Sequence, residues 1–436
     1  MSRARRIALG LVVFACGSLA LAGSGSGSGA RGSSHDVAFG VADDAWLAHG
    51  PGTLESRLDE LTRLGVDVVR FTVRWDSVAQ ERPDDPRDPA DLAYSWGEVD
   101  PVLRGLRRHG IDPVVTLFGT PAWANGGRAS NWAPTSGKAF ANFAYAAASR
   151  YPWVTRWTIW NEPNRTTFLR PTTAATYVDK LLNPGYAQLH AAGGAVQVAG
   201  GVTSPRAGSG GGVAPVSWIR AMAKAGAKLD AYAHHPYPGR PQSETPWGPK
   251  CVNCQTITMA DLERLEREVH AAFGRKPIWL TEYGYQTNPP DVFLGVTPEK
   301  QATYVADAAM RVYRSSSVEM LIFFMVRDDR SADGWQSGLL TADGAMKPAY
   351  GAFRLPVLQT ARHGGSVGLW GQVRPRSGRQ PYRVRLEDDE RTSWLGGTRW
   401  TDENGYFSIS VAAPPGARVR IWSPRDGAYG YELLVR

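Results

Sequence analysis

Two stretches of the chain stop an apolar run on a glutamate. In Thr158-Ile159-Trp160-Asn161-Glu162-Pro163-Asn164 the run ends in an amide, a carboxylate and a chain-breaking proline, and in Trp279-Leu280-Thr281-Glu282-Tyr283-Gly284 it stops at a second Glu. If each run is a strand of one sheet, both carboxylates sit at strand ends, where side chains project from a rigid scaffold into the space shaped by the loops. A lone glutamate in such a place is more often a solvated rim residue. A pair facing one space can divide the work of glycoside hydrolysis, one protonating the leaving oxygen while the other attacks the anomeric carbon. The two start from one reference pKa of about 4.3, so their surroundings must separate them. Glu162, flanked by Trp160 and Pro163, is expected to be the protonated acid, through desolvation and repulsion from the Glu282 charge.

Tryptophan is abundant, with 16 residues, and its flat apolar face stacks on sugar rings as readily as it fills a core. Trp123, Trp160 and at least one of Trp247 or Trp335 follow or end a predicted strand, or lie in a loop beyond one, and are expected to line a cleft. Nothing clusters His, Asp and Glu at ligand spacing, so no metal and no cofactor are expected, and Asp328-Asp329 reads as a loop contact.

These residues need a scaffold, and between residues 35 and 357 short β-branched runs alternate with amphipathic stretches. Strands are predicted near Val37 to Gly40, Val66 to Phe71, Pro113 to Phe118, Thr155 to Trp160, Val196 to Val202, Leu229 to His235, Pro277 to Glu282 and Met320 to Val326. Leu54, Leu58, Leu61 and Leu64 fall on one helical face, as do Leu262, Leu265, Val269 and Ala272. Eight such repeats favour a closed (β/α)8 TIM barrel over an open sheet, and no glycine-rich phosphate loop follows the first strand. From residue 358 to 436 the texture changes to short alternating segments, Tyr382 to Leu386, Tyr406 to Val411 and Ala417 to Trp422, separated by Gly, Pro, Asp and Asn. That reads as a small C-terminal all-β, sandwich-like domain that packs on the barrel or binds glycan.

Residues 1–22 read as an export signal, with Arg3, Arg5 and Arg6 ahead of an apolar run and Ala20-Leu21-Ala22 as a small-residue cleavage site; residues 23–34 then form a Gly/Ser linker. A twin-arginine signal at Arg5-Arg6 and lipidation at Cys16 are the minor readings. The apolar run is short for a membrane span, so no stable span is expected and the protein is placed outside the cell, in solution or at the envelope. The formal charge of +8 falls by three once those arginines are removed, and no Lys/Arg run is interleaved with aromatics, so nucleic acid is not implied. In an exported chain, Cys251 and Cys254 are expected to form a local disulfide, because a structural zinc would need two further ligands.

The Asn161-Glu162-Pro163 triplet, together with Glu282 on the seventh predicted strand, makes residues 35 to 355 resemble the clan A glycoside hydrolases, whose barrels carry an acid/base Glu after strand four and a nucleophile Glu after strand seven. Within the clan, the cellulase-like family 5 and the xylosidase-like family 39 look closest. The resemblance implies Glu162 as acid/base and Glu282 as nucleophile, with retention of β configuration. It also implies Arg70, in Val68-Val69-Arg70-Phe71, as the cation supporting the nucleophile, Asn161 as the residue bonding the sugar 2-hydroxyl, and His235-Pro236-Tyr237 as the element whose Tyr hydroxyl contacts the nucleophile, with His235 and Tyr237 both set against the substrate. Two departures stand out from family 5: no His ends strand three, and no Trp ends strand eight, where Trp335 in the following loop is the candidate substitute. The expected partner is a β-linked oligo- or polysaccharide, bound by a monomer. The competing reading is a catalytically weak glycan-binding envelope protein that uses the cleft and the C-terminal module.

Overall fold

The computed structural model describes residues 36–208, 210–388 and 391–436, which leaves the export signal, the linker and Cys16 outside the described residues. Eight parallel strands close into a barrel in sequential order: β1 (Ala38–Ala42), β2 (Val68–Arg74), β3 (Asp112–Phe118), β4 (Arg156–Ile159), β5 (Gln197–Thr203), β6 (Ala231–His234), β7 (Ile278–Leu280) and β8 (Val318–Phe323). Closure is made by β1 against β8, in the register Ala38–Met320 to Val41–Phe323. Each expected strand therefore exists, with its ends shifted by a few residues.

The helices that wrap the barrel follow from their caps and apolar stripes. Thr53 and Ser56 form a capping box at the start of Leu54–Leu64, and Gly65, at φ 71°, ends that helix in the left-handed conformation that glycine adopts without penalty. Leu58, Leu61 and Leu64 are fully buried on its inner face, each worth about 1.5–3 kcal/mol relative to exposure. On the helix Leu262–Phe273 the buried residues are Leu262, Leu265 and Val269.

Inside the barrel, the period-two alternation of strands sorts side chains into layers. The lower layers are apolar, built from Val68, Val114, Ala231, Ala233, Trp279 and Met320. Two residues further along the same inward faces the chain becomes polar, with Arg70, Thr116, Thr158, His235 and Thr281 all buried. That polar layer is the floor of the site.

Beyond the barrel lie β9 (Val357–His363), β10 (Ser366–Gln372), β11 (Pro381–Glu387), β12 (Thr392–Trp394), β13 (Arg399–Trp400), β14 (Tyr406–Ala412), β15 (Arg418–Ser423), β16 (Ala428–Tyr429) and β17 (Leu433–Leu434). One antiparallel sheet has the order β14-β10-β9; the other runs β12-β11-β15-β16, with β13 on β11 and β17 on β15. Val367, Leu369, Val384, Phe407, Val419 and Ile421 fill the space between them. β9 and β10 belong to the expected all-β region but lie outside the three segments singled out in it. In β10, Gly371 interrupts the strand pattern because a Cβ there would lie 2.3 Å from the Phe407 ring and 2.5 Å from the Pro356 carbonyl. The sheets meet the barrel at the N-terminal ends of its strands: buried Arg374 packs on Phe39 and Phe353 at 3.7 and 4.6 Å, and Arg376 pairs with Asp67, which directly precedes β2.

The opposite end is pinned by Asp43, which follows β1. One carboxylate oxygen caps the helix Asp44–His49 through the Trp46 N–H at 3.1 Å, and the other accepts the Val326 and Arg327 N–H groups, both at 3.1 Å, from the segment leaving β8. Replacing Asp43 with Ala would leave three N–H groups without this acceptor and should cost about 1–3 kcal/mol. Calorimetric melting of the variant checks this, and a wild-type melting temperature would contradict it.

Candidate active site

The C-terminal ends of the strands carry both glutamates to one place. After β4 the chain turns sharply: Trp160 and Glu162 have φ of 72° and 39°, and Val202, whose carbonyl accepts the Glu162 N–H at 2.9 Å, has φ of 44°. These values are strained for residues with a Cβ, and their clustering here is typical of functional sites. Asn164 holds the turn against the end of β5, donating to Ser204 Oγ (3.0 Å) and the Val213 carbonyl (2.9 Å) and accepting from the Ser204 N–H (2.9 Å). The Glu162 side chain is thereby presented with little exposure, 11%.

Glu282 lies two residues past the end of β7 and is held by a guanidinium, a phenol and an imidazole. Arg70 donates to its Oε1, Tyr237 donates to Oε2 at 3.0 Å, and His235 Nδ1 lies 3.6 Å from Oε2. The same His235 nitrogen is 3.2 Å from Glu162 Oε1, and Nε2 bonds Thr281 Oγ1 at 3.0 Å. One imidazole therefore bridges the two carboxylates. Burial pushes the Glu282 carboxyl up, but the His235 and Arg70 charges and the hydrogen bonds from Arg70 and Tyr237 bring it below the ordinary carboxylate value. Burial and the two glutamate charges raise the Tyr237 hydroxyl well above its usual range, so it remains a proton donor.

Arg70 has three anchors. Besides Glu282, its Nε donates to Thr116 Oγ1 at 2.9 Å and its Nη2 to Asn161 Oδ1 at 2.7 Å, while Thr116 bonds Thr158 at 2.7 Å. Because Asn161 Oδ1 is taken, its NH2 group is the end left for a ligand. On the far side of Glu162, Arg165 Nε lies 3.9 Å from Oε2. Glu282, Arg70, Asn161, Phe118, Phe324 and Trp335 line a cavity of about 840 Å³. Trp335 is 47% exposed, stacks on Tyr237 with ring centroids 6.0 Å apart, and is fixed by Asp329, which accepts its N–H at 2.7 Å.

Three expectations need correction. Trp160 is fully buried, its ring against Phe118 and its Nε1 donating to the Phe168 carbonyl, so it packs beneath the cleft and is out of reach of a ligand. Trp123 packs edge-on against Trp75 and donates to the Ala79 carbonyl, while Trp247 lies against Arg311 and Arg314 and donates to Asp307. Neither lines the cavity, and the expectation of at least one of Trp247 or Trp335 is met by Trp335. His235, expected against substrate, is wholly buried and spends both ring nitrogens on the glutamates and Thr281. Asp328 forms a buried pair with Lys347 at 2.7 Å, which is a loop contact as expected. Thr116, Thr158 and Thr281 were not anticipated; their inward parity on strands already located was the available signal. Among the described residues no group of three or more His, Cys, Asp or Glu is placed to hold a metal ion, and no helix is long and apolar enough to cross a membrane.

Comparison with known proteins agrees with this architecture. The fold is similar to that of a monomeric β-xylosidase from Caulobacter crescentus, with a TM-score of 0.58 and 16% identity over 89% of this chain and 95% of that one. A family 39 glycoside hydrolase from Bacteroides cellulosilyticus gives a TM-score of 0.56 and 18% identity over 87% and 80%. A family 39 enzyme from Xanthomonas axonopodis pv. citri gives 0.57 and 16% over 89% and 93%. At these identities the likeness is one of fold. No curated protein matches by sequence. Residues 94–353, well over half of the chain, match the model described as the glycosyl hydrolase catalytic core, and the chain therefore belongs to that family.

Proposed function

We propose that the protein is a secreted, retaining β-glycosidase of clan A type that works by double displacement, with Glu282 as nucleophile and Glu162 as acid/base. The observation that carries this reading is the single His235 nitrogen 3.2 Å from one carboxylate and 3.6 Å from the other. The two oxygens it touches cannot be farther apart than those spans laid end to end. That limit barely reaches the roughly 6.5 Å at which room for an attacking water begins.

In the first half-reaction the Glu282 carboxylate bonds to the anomeric carbon while Glu162 gives its proton to the departing oxygen, leaving a glycosyl ester. The ester carries no charge on Glu282. Glu162, now a carboxylate, takes a proton from water as the water oxygen attacks the same carbon and expels Glu282, which restores both groups. The surroundings fit this division of labour: Arg70 and Tyr237 bond Glu282 alone, and Asn161 offers its NH2 group beside it.

Early proton spectra should show a β product. Glu282→Ala should abolish turnover. Glu162→Ala should cripple substrates with poor leaving groups and spare activated aryl glycosides, with azide restoring it as a β-glycosyl azide. A first-formed α anomer would reverse the assignment.

The depressed Glu282 carboxyl sets the acid limb. Its folded value lies below 4.5, so its contribution to stability is present above 4.5 and is lost as pH falls through the lower folded value. The kcat/KM profile should accordingly hold its acid limb below pH 4.5, and Arg70→Met should move that limb upward. An Arg70→Met limb at the wild-type position would show that the guanidinium does not tune the carboxyl.

Export to an oxidising compartment is the reading of residues 1–22, and Cys251 and Cys254, joined with Cα atoms 5.9 Å apart, suit it. Thiol titration of the denatured, unreduced protein from its native host should find neither cysteine reactive. Two free thiols per chain would argue for a reducing location.

A further inference from the structure

Asp44 lies two residues past the end of β1 and lines the same cavity as Glu282, Arg70 and Asn161. Its half-buried carboxylate is held by Thr72, whose N–H donates to Oδ1 at 3.2 Å, and among the described residues it has no ion pair. The cations of the cavity wall are already committed. Arg70 is bonded to Glu282 and Asn161, and Arg74 is paired with Asp76. His49 stands at the exposed rim of the wall. Against these, Asp44, Glu98, Glu282 and Asp329 all contribute to the wall.

From this arrangement, and resting on the hydrolase reading above, we propose that Asp44 is a specificity-determining residue that binds hydroxyls of a neutral sugar on the non-reducing side of the scissile bond and excludes uronic acids and other anionic sugars from that position. A sugar hydroxyl can donate to the Asp44 carboxylate in a charge-assisted hydrogen bond. A sugar carboxylate there finds no uncommitted arginine and faces the charges of Asp44 and Glu282. Burial raises the Asp44 carboxyl above its ordinary value, against the opposing pull of the Thr72 hydrogen bonds and the Arg70 charge and with a small push from the Glu282 charge. A carboxylate that has lost water in this way gains from a donor that replaces it.

The test is a panel of 4-nitrophenyl β-D-glycosides, the xyloside, glucoside, galactoside and mannoside against the glucuronide, with the wild-type chain and Asp44→Asn. The substitution keeps the shape and an acceptor for the Thr72 N–H and removes the charge. Wild-type kcat/KM for the best neutral glycoside should exceed that for the glucuronide by about 100-fold or more. Asp44→Asn should lower the neutral value by about 10- to 100-fold and narrow the gap to the glucuronide, a change in ratio that a merely structural role would not produce. Hydrolysis of the glucuronide as fast as its neutral counterparts overturns the proposal, as does an Asp44→Asn enzyme with wild-type kcat/KM on neutral glycosides. Either result leaves the hydrolase reading intact, whereas cleavage of no glycoside in the panel would overturn that reading and this one with it.

Discussion

A guanidinium inside a barrel is tolerable only if every part of it is answered, and Arg70 is answered by the residues that make the site. It is 5% exposed and donates to Thr116, Asn161 and Glu282, which come from β3 and from the ends of β4 and β7. A buried charge that loses its partner is penalised by several kcal/mol, so this arrangement makes the relative position of those strands a condition of folding. The parallel register that sets Arg70 against Val114 and Thr116 against Thr158 is what brings the donors and acceptors level. The geometry of the candidate site and the relative placement of β2, β3, β4 and β7 are thus held by one set of hydrogen bonds.

The two glutamates are alike in chemistry and differ in what surrounds them. Glu282 has a guanidinium and a phenol as donors, which favours the carboxylate. Glu162 has neither; its neighbours are the shared His235 and the more distant Arg165. The bridging imidazole couples them, so a change of charge on one glutamate is felt by the other through a group that is itself ionisable. A double-displacement cycle, in which one carboxylate is neutralised by ester formation and then restored, uses such coupling.

How much of this was legible depends on which pattern carried it. The barrel strands were legible because short β-branched runs alternate with amphipathic helical stretches, and the two glutamates because a carboxylate at the end of an apolar run is conspicuous. The same signal stands at Asp43-Asp44, after Val37-Ala38-Phe39-Gly40-Val41-Ala42, where two adjacent carboxylates end the run and their spacing does not say which one faces the cavity. Trp160 misled for a physical reason. A ring at a strand's end can turn into the cleft or back into the core, and the positive φ at Trp160 sends it to Phe118 and the Phe168 carbonyl. In β10, Gly371 breaks the alternation because its neighbour in the same sheet, Phe407 of β14, and the Pro356 carbonyl come too close for a Cβ, a contact that local sequence does not encode.

The abundance of tryptophan suggested a cleft rich in stacking platforms, and the structure distributes it otherwise. Trp75, Trp157, Trp160, Trp218 and Trp279 are fully buried, and of the tryptophans considered for the cleft only Trp335 lines the cavity. A fixed ring on a loop after β8 is a different device from a ring that ends the strand itself: its position depends on Asp329 accepting the Trp335 backbone N–H, on stacking against Tyr237 and on an edge-on contact with Phe324. Tyr237 in turn donates to Glu282. The Trp335 ring and the Glu282 carboxylate are therefore linked through one phenol, and under the proposed function a sugar seated against Trp335 would also bear on Tyr237. With the sandwich at the opposite end of the barrel, that coupling is confined to the loops after β6, β7 and β8.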